Sequence, residues 1–147
     1  MQSCTWYLDG KRFESMVDGH RIVSDQPASE GGSGAGPTPP QLLLASLGAC
    51  TGHYAAEYLR ARSLPTAGLH VYVKAEKDGR PTRLSSFRVE VDVPAGVDER
   101  HRQGVLRAVK TCLIHNTLTT APAIAVEVQG AAKELSLSAC TTVAALR

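Results

Sequence analysis

One segment restricts the fold of this chain more than any other: the helix predicted to follow a Gly- and Pro-rich stretch. Thr38 suits the N-cap of this helix, and Pro39 suits its first turn, where the missing proline N–H would be unpaired in any case. Residues 42–50 are apolar on nearly all faces, and a helix of this kind is buried in the middle of a protein. Gly48 and Gly52 each cost about 1 kcal/mol of helix propensity, so we expect another element to approach the helix closely there.

The residues before this helix predict an antiparallel meander of three strands. Two Asp-Gly pairs, at 9–10 and 18–19, are strong turn signals between short runs that contain apolar residues. The predicted strands cover residues 5–8, 12–17 and 20–24. The stretch 26–40 is too rich in Gly and Pro for a regular element. It is interpreted either as a loose surface loop or as a wall over a pocket.

The residues after the helix predict two strands, two helices and a last strand. Alternating apolar and polar residues over 69–74 and 87–93 indicate a sheet with one buried face and one wet face. The helices are predicted over 98–110 and 111–118, and the last strand over 124–128. The order βββ-α-ββ-α-α-β separates strands from helices, which is typical of an α+β fold.

Length and composition indicate one domain. The chain has 147 residues, so we predict a single domain over residues 1–147 with its core at about 5–128, and we leave the tail 130–147 unassigned. A formal net charge of +2 is too small to favour nucleic acid as a partner. No apolar run approaches the roughly 20 residues of a membrane span, and no signal peptide is visible. We therefore expect a cytoplasmic protein that binds neither nucleic acid nor membrane.

The four cysteines form no C-x-x-C pair, so neither a zinc ribbon nor a thioredoxin-type motif is present in the sequence. A structural disulfide is not expected in a reducing compartment. The cysteines are therefore either inert buried thiols or chemically used ones. Cys4 and Cys140 have no patterned neighbours and are expected to be inert. No histidine has metal-ligand spacing, so no metal is expected.

Cys50 and Cys112 are the two cysteines whose surroundings suit chemistry. Cys50 lies in the most apolar part of the predicted helix, where burial favours an inert thiol unless a cation or hydrogen-bond donor is supplied from elsewhere. Cys112 lies between Lys110 and His115 at a predicted helix start, where a thiolate is favoured. Each has a plain alternative, because Cys50 suits helix packing and His115 suits an ordinary hydrogen bond. A Cys112–His115 hydrolase is the weakest hypothesis, since no orienting residue can be named.

Two short motifs together resemble a known family. They are GPTPPQLLLASLGACT over residues 36–51 and CLIH over residues 112–115. Both resemble the OsmC/Ohr family, the osmotically inducible protein C and organic hydroperoxide resistance proteins, and most closely its general OsmC-like branch. The order of elements agrees with that family from about Trp6 to Val128. The resemblance implies an α+β fold in which antiparallel sheets wrap around central helices in an intertwined homodimer, with two active sites at the subunit interface.

The resemblance also implies an activity, the thiol-dependent reduction of organic hydroperoxides. Carried over by position, Cys50 resembles the peroxidatic cysteine and Cys112 the resolving cysteine. No bound cofactor is implied, and an external dithiol reductant, with a lipoyl protein as one candidate, would restore both thiols. The competing hypothesis is a non-catalytic OsmC-like module that binds a small apolar ligand.

The sequence departs from the family at the start of the cysteine helix. Characterised members place a glutamate there, which orients an arginine toward the reactive thiol. Here the corresponding residue is Gln41, which can form a hydrogen bond but not an ion pair. Arg21 and Arg12 are candidates for the arginine, and Arg21, Gln41 and His115 are predicted as supporting residues.

Overall fold

The computed structural model describes residues 1–128 and 130. These residues form two compact units, one with residues 1–41 and the described residues from Ile124 onward, the other with residues 42–123. The described elements are β1 (Ser3–Asp9), β2 (Arg12–Val17), β3 (His20–Ser24), a 3-10 turn (Ala28–Glu30), α1 (Pro39–Arg60), β4 (His70–Asp78), β5 (Arg83–Asp92), α2 (Glu99–Val109) and α3 (Leu113–Thr119). Antiparallel sheets and three α-helices confirm the predicted α+β class.

The first unit contains the predicted meander. Strands β1, β2 and β3 pair in that order and are antiparallel, with Trp6 opposite Glu14 and Glu14 opposite Val23. The turn between β2 and β3 uses Asp18 and Gly19, both with positive φ, as the twist of a tight hairpin requires. The predicted bounds of β2 and β3 are confirmed.

The loop that follows β3 is held by one buried carboxylate. Asp25 is 1% exposed, and its Oδ2 accepts hydrogen bonds from the Ser33 N–H at 2.9 Å, the Ser33 hydroxyl at 2.7 Å and the Ala35 N–H at 3.1 Å. Its Oδ1 accepts from the Gln26 N–H at 2.8 Å. The Ser33 hydroxyl and these N–H groups hold the pKa of Asp25 well below its ordinary value, against burial, which raises it.

Two glycines let the same loop pack against neighbouring backbone. A Cβ at Gly32 would lie 1.9 Å from the Gln26 carbonyl oxygen, and one at Gly36 would lie 2.2 Å from that of Val23. Any side chain at either position therefore forces the backbone to move. Segment 26–40 is thus irregular, as predicted, but it is held in place by its own contacts.

In the second unit, α1 packs against the sheet of β4 and β5. The buried residues Leu47, Thr51, Ala55 and Leu59 recur every four residues along one stripe of the helix. On an adjacent face, a Cβ at Gly48 would lie 3.3 Å from a Val73 methyl, and a Cβ at Gly52 would lie 3.6 Å from a Val71 methyl. The close approach predicted from these glycines is confirmed at Gly48, whereas at Gly52 a Cβ would make an ordinary van der Waals contact.

The remaining apolar residues of α1 are less covered than the sequence predicts. Residues 42–44 are half-buried, while Ala45 and Ala49 are exposed in the single chain. The buried core of this unit lies instead toward the other end of the helix, where Ala55 and Leu59 meet Val97 and Val105. The single chain therefore does not bury α1 on all faces, although the sequence predicts such burial.

The prediction of a last strand over residues 124–128 is wrong. Residues 124–128 have no strand assignment, and Ile124, Val126 and Val128 are 81%, 82% and 96% exposed. The alternation of apolar residues is that of a strand, but a strand also needs a pairing partner, and none is present among the described residues. The unassigned tail 130–147 lies outside the described residues, apart from Gly130. Within the part of the chain described here, no helix is both long and apolar enough to span a bilayer.

A candidate thiol site beside an apolar cavity

The structure brings together the two cysteines that the sequence singled out. Cys50 in α1 and Cys112 form a disulfide, with their Cα atoms 6.0 Å apart across a sequence separation of 62 residues. This Cα distance lies within the ordinary range for a disulfide. Cys112 is completely buried, whereas Cys50 is half-buried. Of the two sulfur-bearing residues, Cys50 is therefore the one with a side accessible to a small molecule.

Cys112 also defines the start of α3. It is the N-cap of that helix, although its side chain makes no capping hydrogen bond. Helix α3 has seven residues, none of them buried. Its hydrogen bonds are local, as in the Thr117 hydroxyl to the Leu113 carbonyl at 2.9 Å and the Asn116 N–H to the Cys112 carbonyl at 3.0 Å. The disulfide is thus a covalent link between α3 and the long helix α1.

A cavity of about 330 Å³ lies within the same unit. Four elements line it with mostly apolar side chains: α1, β5, α2 together with its C-cap Lys110, and α3. The lining residues are Leu47, Thr51, Phe87, Val89, Leu106, Val109, Lys110, His115, Leu118 and Thr119. This volume is at the small end of the range for small-molecule sites.

The cavity and the disulfide are neighbours along the chain. Thr51 directly follows Cys50 in α1, and Lys110 and His115 stand on either side of Cys112. The lining therefore contains a cation, an imidazole and two threonine hydroxyls among apolar groups. Neither cysteine is among the lining residues, so the arrangement can hold the apolar part of a ligand beside residues that are close in sequence to both sulfurs.

The predicted supporting residues have other partners in this structure. The Arg21 guanidinium forms an ion pair with Glu14 across β2 and β3, and Arg12 forms one with Asp9. Gln41 Oε1 accepts a hydrogen bond from the Thr38 N–H at 2.8 Å, while the Thr38 hydroxyl accepts from the Gln41 N–H at 3.4 Å. This reciprocal pair is a capping box at the start of α1. His115 lines the cavity, and the supporting roles of all three remain predictions.

The other residues considered from the sequence lie elsewhere. Cys4 is disulfide-bonded, so the expectation that it is an inert thiol is wrong, and Cys140 lies outside the described residues. His70 Nδ1 is 3.6 Å from an Asp92 carboxylate oxygen, and His101 Nδ1 is 3.3 Å from the Tyr58 hydroxyl. Among the described residues, no group of three His, Cys, Asp or Glu side chains is placed to hold a metal ion.

Sequence reasoning missed most of the cavity lining. Phe87 and Val89 belong to the alternating pattern that predicts a buried face, and Leu106 and Val109 lie in a predicted helix. The periodicity that marks a buried face is the same whether that face is filled or borders a cavity. The available signal was Lys110, a cation between an apolar helix face and Cys112.

Comparison with known proteins gives one family and several related folds. The model of the OsmC-like protein family matches residues 31–127. A structure from Psychrobacter arcticus, named an osmotic stress induced and detoxification response protein, has a TM-score of 0.71 at 20% identity, covering 80% of this chain and 87% of its own. An OsmC-like protein from Mycoplasma pneumoniae has the same TM-score and identity, covering 82% and 87%.

A third structure comes from Vibrio cholerae and is named an organic hydroperoxide resistance protein, with captopril bound in one of its active sites. Its TM-score is 0.63 at 20% identity, covering 82% of this chain and 86% of its own. At this level of identity, these structures establish the fold of the chain. No curated protein matches the sequence.

Proposed function

Because the chain belongs to the OsmC-like family, we propose that it is a thiol-dependent peroxidase that reduces organic hydroperoxides to alcohols. The observation that carries this proposal is the Cys50–Cys112 disulfide beside an apolar cavity. A structurally similar protein from Vibrio cholerae is named an organic hydroperoxide resistance protein, and this name supports the proposed peroxidase function.

In the first step, the Cys50 thiolate attacks the distal oxygen of the peroxide. The O–O bond breaks, the alkoxide leaves and takes up a proton, and Cys50 becomes a sulfenic acid. We assign this step to Cys50 because it is half-buried, whereas Cys112 is completely buried.

In the second step, the Cys112 thiolate attacks the Cys50 sulfur. An S–S bond forms, and the sulfenic oxygen leaves as water. An external dithiol then reduces this disulfide by exchange and is itself oxidised. We propose a cytoplasmic dithiol reductant, with a lipoyl protein as one candidate, and no bound cofactor.

The cavity favours substrates with an apolar group. Leu47, Phe87 and Val89 supply apolar surface that hydrogen peroxide cannot use, since it has no hydrocarbon to bury. We therefore expect alkyl hydroperoxides to react faster than hydrogen peroxide. The same cavity also suits the competing function, a non-catalytic module that binds a small apolar ligand. We prefer the peroxidase because a ligand-binding module does not need the Cys50–Cys112 disulfide.

A mass measurement tests the proposal. The fully reduced protein should lose two hydrogens on addition of one equivalent of cumene hydroperoxide, and peptide mapping should locate the new bond between Cys50 and Cys112. Retention of both thiols after complete mixing would leave the ligand-binding module as the better function.

We also propose that the protein is a homodimer. Ile124, Val126 and Val128 expose apolar side chains at alternate positions, and residues 42–44 of α1 are incompletely covered. A second copy would remove such surface from water, as stable dimer interfaces do. Light scattering coupled to size-exclusion chromatography should give twice the chain mass at micromolar concentration. The Val126→Lys variant should give a lower mass. A monomeric wild-type chain would contradict the dimer.

A further inference from the structure

The cavity lining contains one permanent cation and no carboxylate. The ten lining residues include Lys110 but neither Asp nor Glu. Lys110 is exposed as a residue and still borders the cavity, as expected when an apolar stem covers hydrocarbon surface and the ammonium stays in water. The apolar cavity therefore has a positive charge at its wet edge.

No ion pair within the described part of the chain includes Lys110. The ion pairs of the second unit use Arg60, His70, Lys74, Arg88 and Arg102 as their cations. The ammonium at the cavity edge is therefore not matched by a carboxylate of its own unit.

Helix α2 with its C-cap Lys110 is rich in cations, and of the others only Arg107 lies within one helical turn of Lys110. The formal charge of the whole chain is only +2, whereas residues 99–110 contain four cations and one acid. The carboxylate of that acid, Glu99, accepts a hydrogen bond from the Gln103 side-chain amide at 2.7 Å and lies 3.8 Å from the Arg102 guanidinium. Glu99 is roughly 16 Å from Lys110 along the helix axis. Lys110 is the C-cap of α2, where the helix dipole stabilises a cation.

We infer that Lys110 selects hydroperoxides that carry a carboxylate at the end remote from the peroxide. This inference rests on the proposed peroxidase function and names the substrate class for the same site. The hydrocarbon chain would lie against Leu106 and Val109, and the carboxylate would meet the Lys110 ammonium at the water-facing edge. The cavity volume of about 330 Å³ suits a chain of medium length rather than a long lipid.

The size of the preference follows from the exposure of the pair. A solvent-exposed ammonium–carboxylate pair changes an equilibrium by about 2- to 5-fold, and salt screens it. We expect kcat/KM for the carboxylate form to exceed that of its neutral ester by this factor at low ionic strength. The excess should shrink when salt is raised.

The experiment compares two probes that differ only in the remote charge, ω-hydroperoxyoctanoate and its methyl ester. Their kcat/KM ratio is measured with a chemical dithiol in excess for the wild type and for Lys110→Met, which removes the charge and keeps a flexible stem. The ratio should fall to about 1 in Lys110→Met and fall below 1 in Lys110→Glu. Lys74→Met is the matched control, because Lys74 is a cation of β4 that does not line the cavity.

Two results would overturn the inference: equal kcat/KM for both probes in the wild type, or a ratio that survives in Lys110→Met. A ratio that falls equally in Lys74→Met would also overturn it, because the effect would then be one of net charge. If neither probe is consumed, the proposed function fails, and binding of octanoate and octanol decides the inference separately. Tighter octanoate binding that is lost in Lys110→Met supports Lys110 as the selecting residue, and equal binding overturns it.

Discussion

Two short segments of this protein are held in place by different means. Segment 26–40 is attached by the buried Asp25 carboxylate, which accepts four hydrogen bonds, and by the close backbone approaches of Gly32 and Gly36. Helix α3 has no buried residue and local hydrogen bonds, and it is linked to α1 through the Cys50–Cys112 disulfide. The first attachment is polar and permanent, while the second is a bond that a reductant can open.

This difference bears directly on the proposed function. The catalytic cycle would break and re-form the link to α3 at every turnover, while the contacts of Asp25 would remain unchanged. His115, Leu118 and Thr119 of α3 line the cavity. Part of the cavity wall is therefore attached through the bond that the proposed reaction would open and close.

The largest expected effect separates the two sulfurs of that bond. Cys50→Ser should abolish hydroperoxide consumption, because no sulfenic acid can form. Cys112→Ser should still consume about one equivalent and then stop, since its sulfenic acid has no resolving thiol and proceeds to sulfinic acid in excess peroxide. Single-turnover consumption of cumene hydroperoxide measures both variants.

The opposite pattern would reverse the two roles. If Cys112→Ser is inactive and Cys50→Ser retains its first turnover, then Cys112 is the attacking residue despite its complete burial. If both variants consume peroxide as the wild type does, the two cysteines are packing residues of a binding module.

Elements set by local signals were predictable from the sequence. Asp-Gly turns defined β2 and β3, and Thr38 with Pro39 defined the start of α1. The role of Gly48 was also predictable, because glycine within a helix has few purposes other than close approach.

Features that depend on distant partners were not predictable in this way. The alternation in residues 124–128 is that of a strand, yet pairing needs a neighbour that no local pattern reveals. The partner of Arg21 depends on the register of β2 and β3. The pairing of Cys50 with Cys112 came from a family resemblance, since a separation of 62 residues contains no geometric information.

The second prediction concerns variants that remove the disulfide attachment of α3 and leave segment 26–40 unchanged. The double variant Cys50→Ala/Cys112→Ala should lose about 4 kcal/mol of unfolding free energy, the chain-entropy value for a closed loop of about 60 residues. Urea unfolding without reductant measures the loss. Amide exchange should rise in α3 and stay unchanged at Ser33 and Ala35, and equal exchange in both regions would contradict the comparison.

The third prediction concerns a variant that weakens the attachment of segment 26–40 through Asp25. Asp25→Asn should lower the unfolding free energy by about 3 kcal/mol, because an amide NH2 in place of Oδ2 leaves buried donors of Ser33 and Ala35 without an acceptor. Asp18→Asn is the matched control, since Asp18 lies exposed in a turn and asparagine tolerates its positive φ. A loss below about 1 kcal/mol would mean that the glycine contacts hold the loop without the carboxylate.

The fourth prediction concerns pH. The pKa of Asp25 is lower in the folded protein than its ordinary value of about 4 in an unfolded chain. Its ionised form therefore stabilises the fold above that value, and this stabilisation is lost as the pH falls toward the folded-state pKa. Unfolding free energy should decrease below about pH 5 in the wild type, with a shallower slope in Asp25→Asn. Parallel slopes would contradict the assignment to Asp25.

The smallest expected effect lies at Gln41, directly before the chain passes from the first unit into the second. Because Gln41 and Thr38 cap α1 reciprocally, Gln41→Ala should lower the unfolding free energy by about 1 kcal/mol. Gln41→Glu should retain stability, since a glutamate also completes a capping box and suits the helix N-terminus. If Gln41 acts only as a cap, both variants keep the wild-type rate of hydroperoxide consumption per folded molecule. A slower Gln41→Ala together with a faster Gln41→Glu would instead establish the supporting role near Cys50 that the sequence predicts.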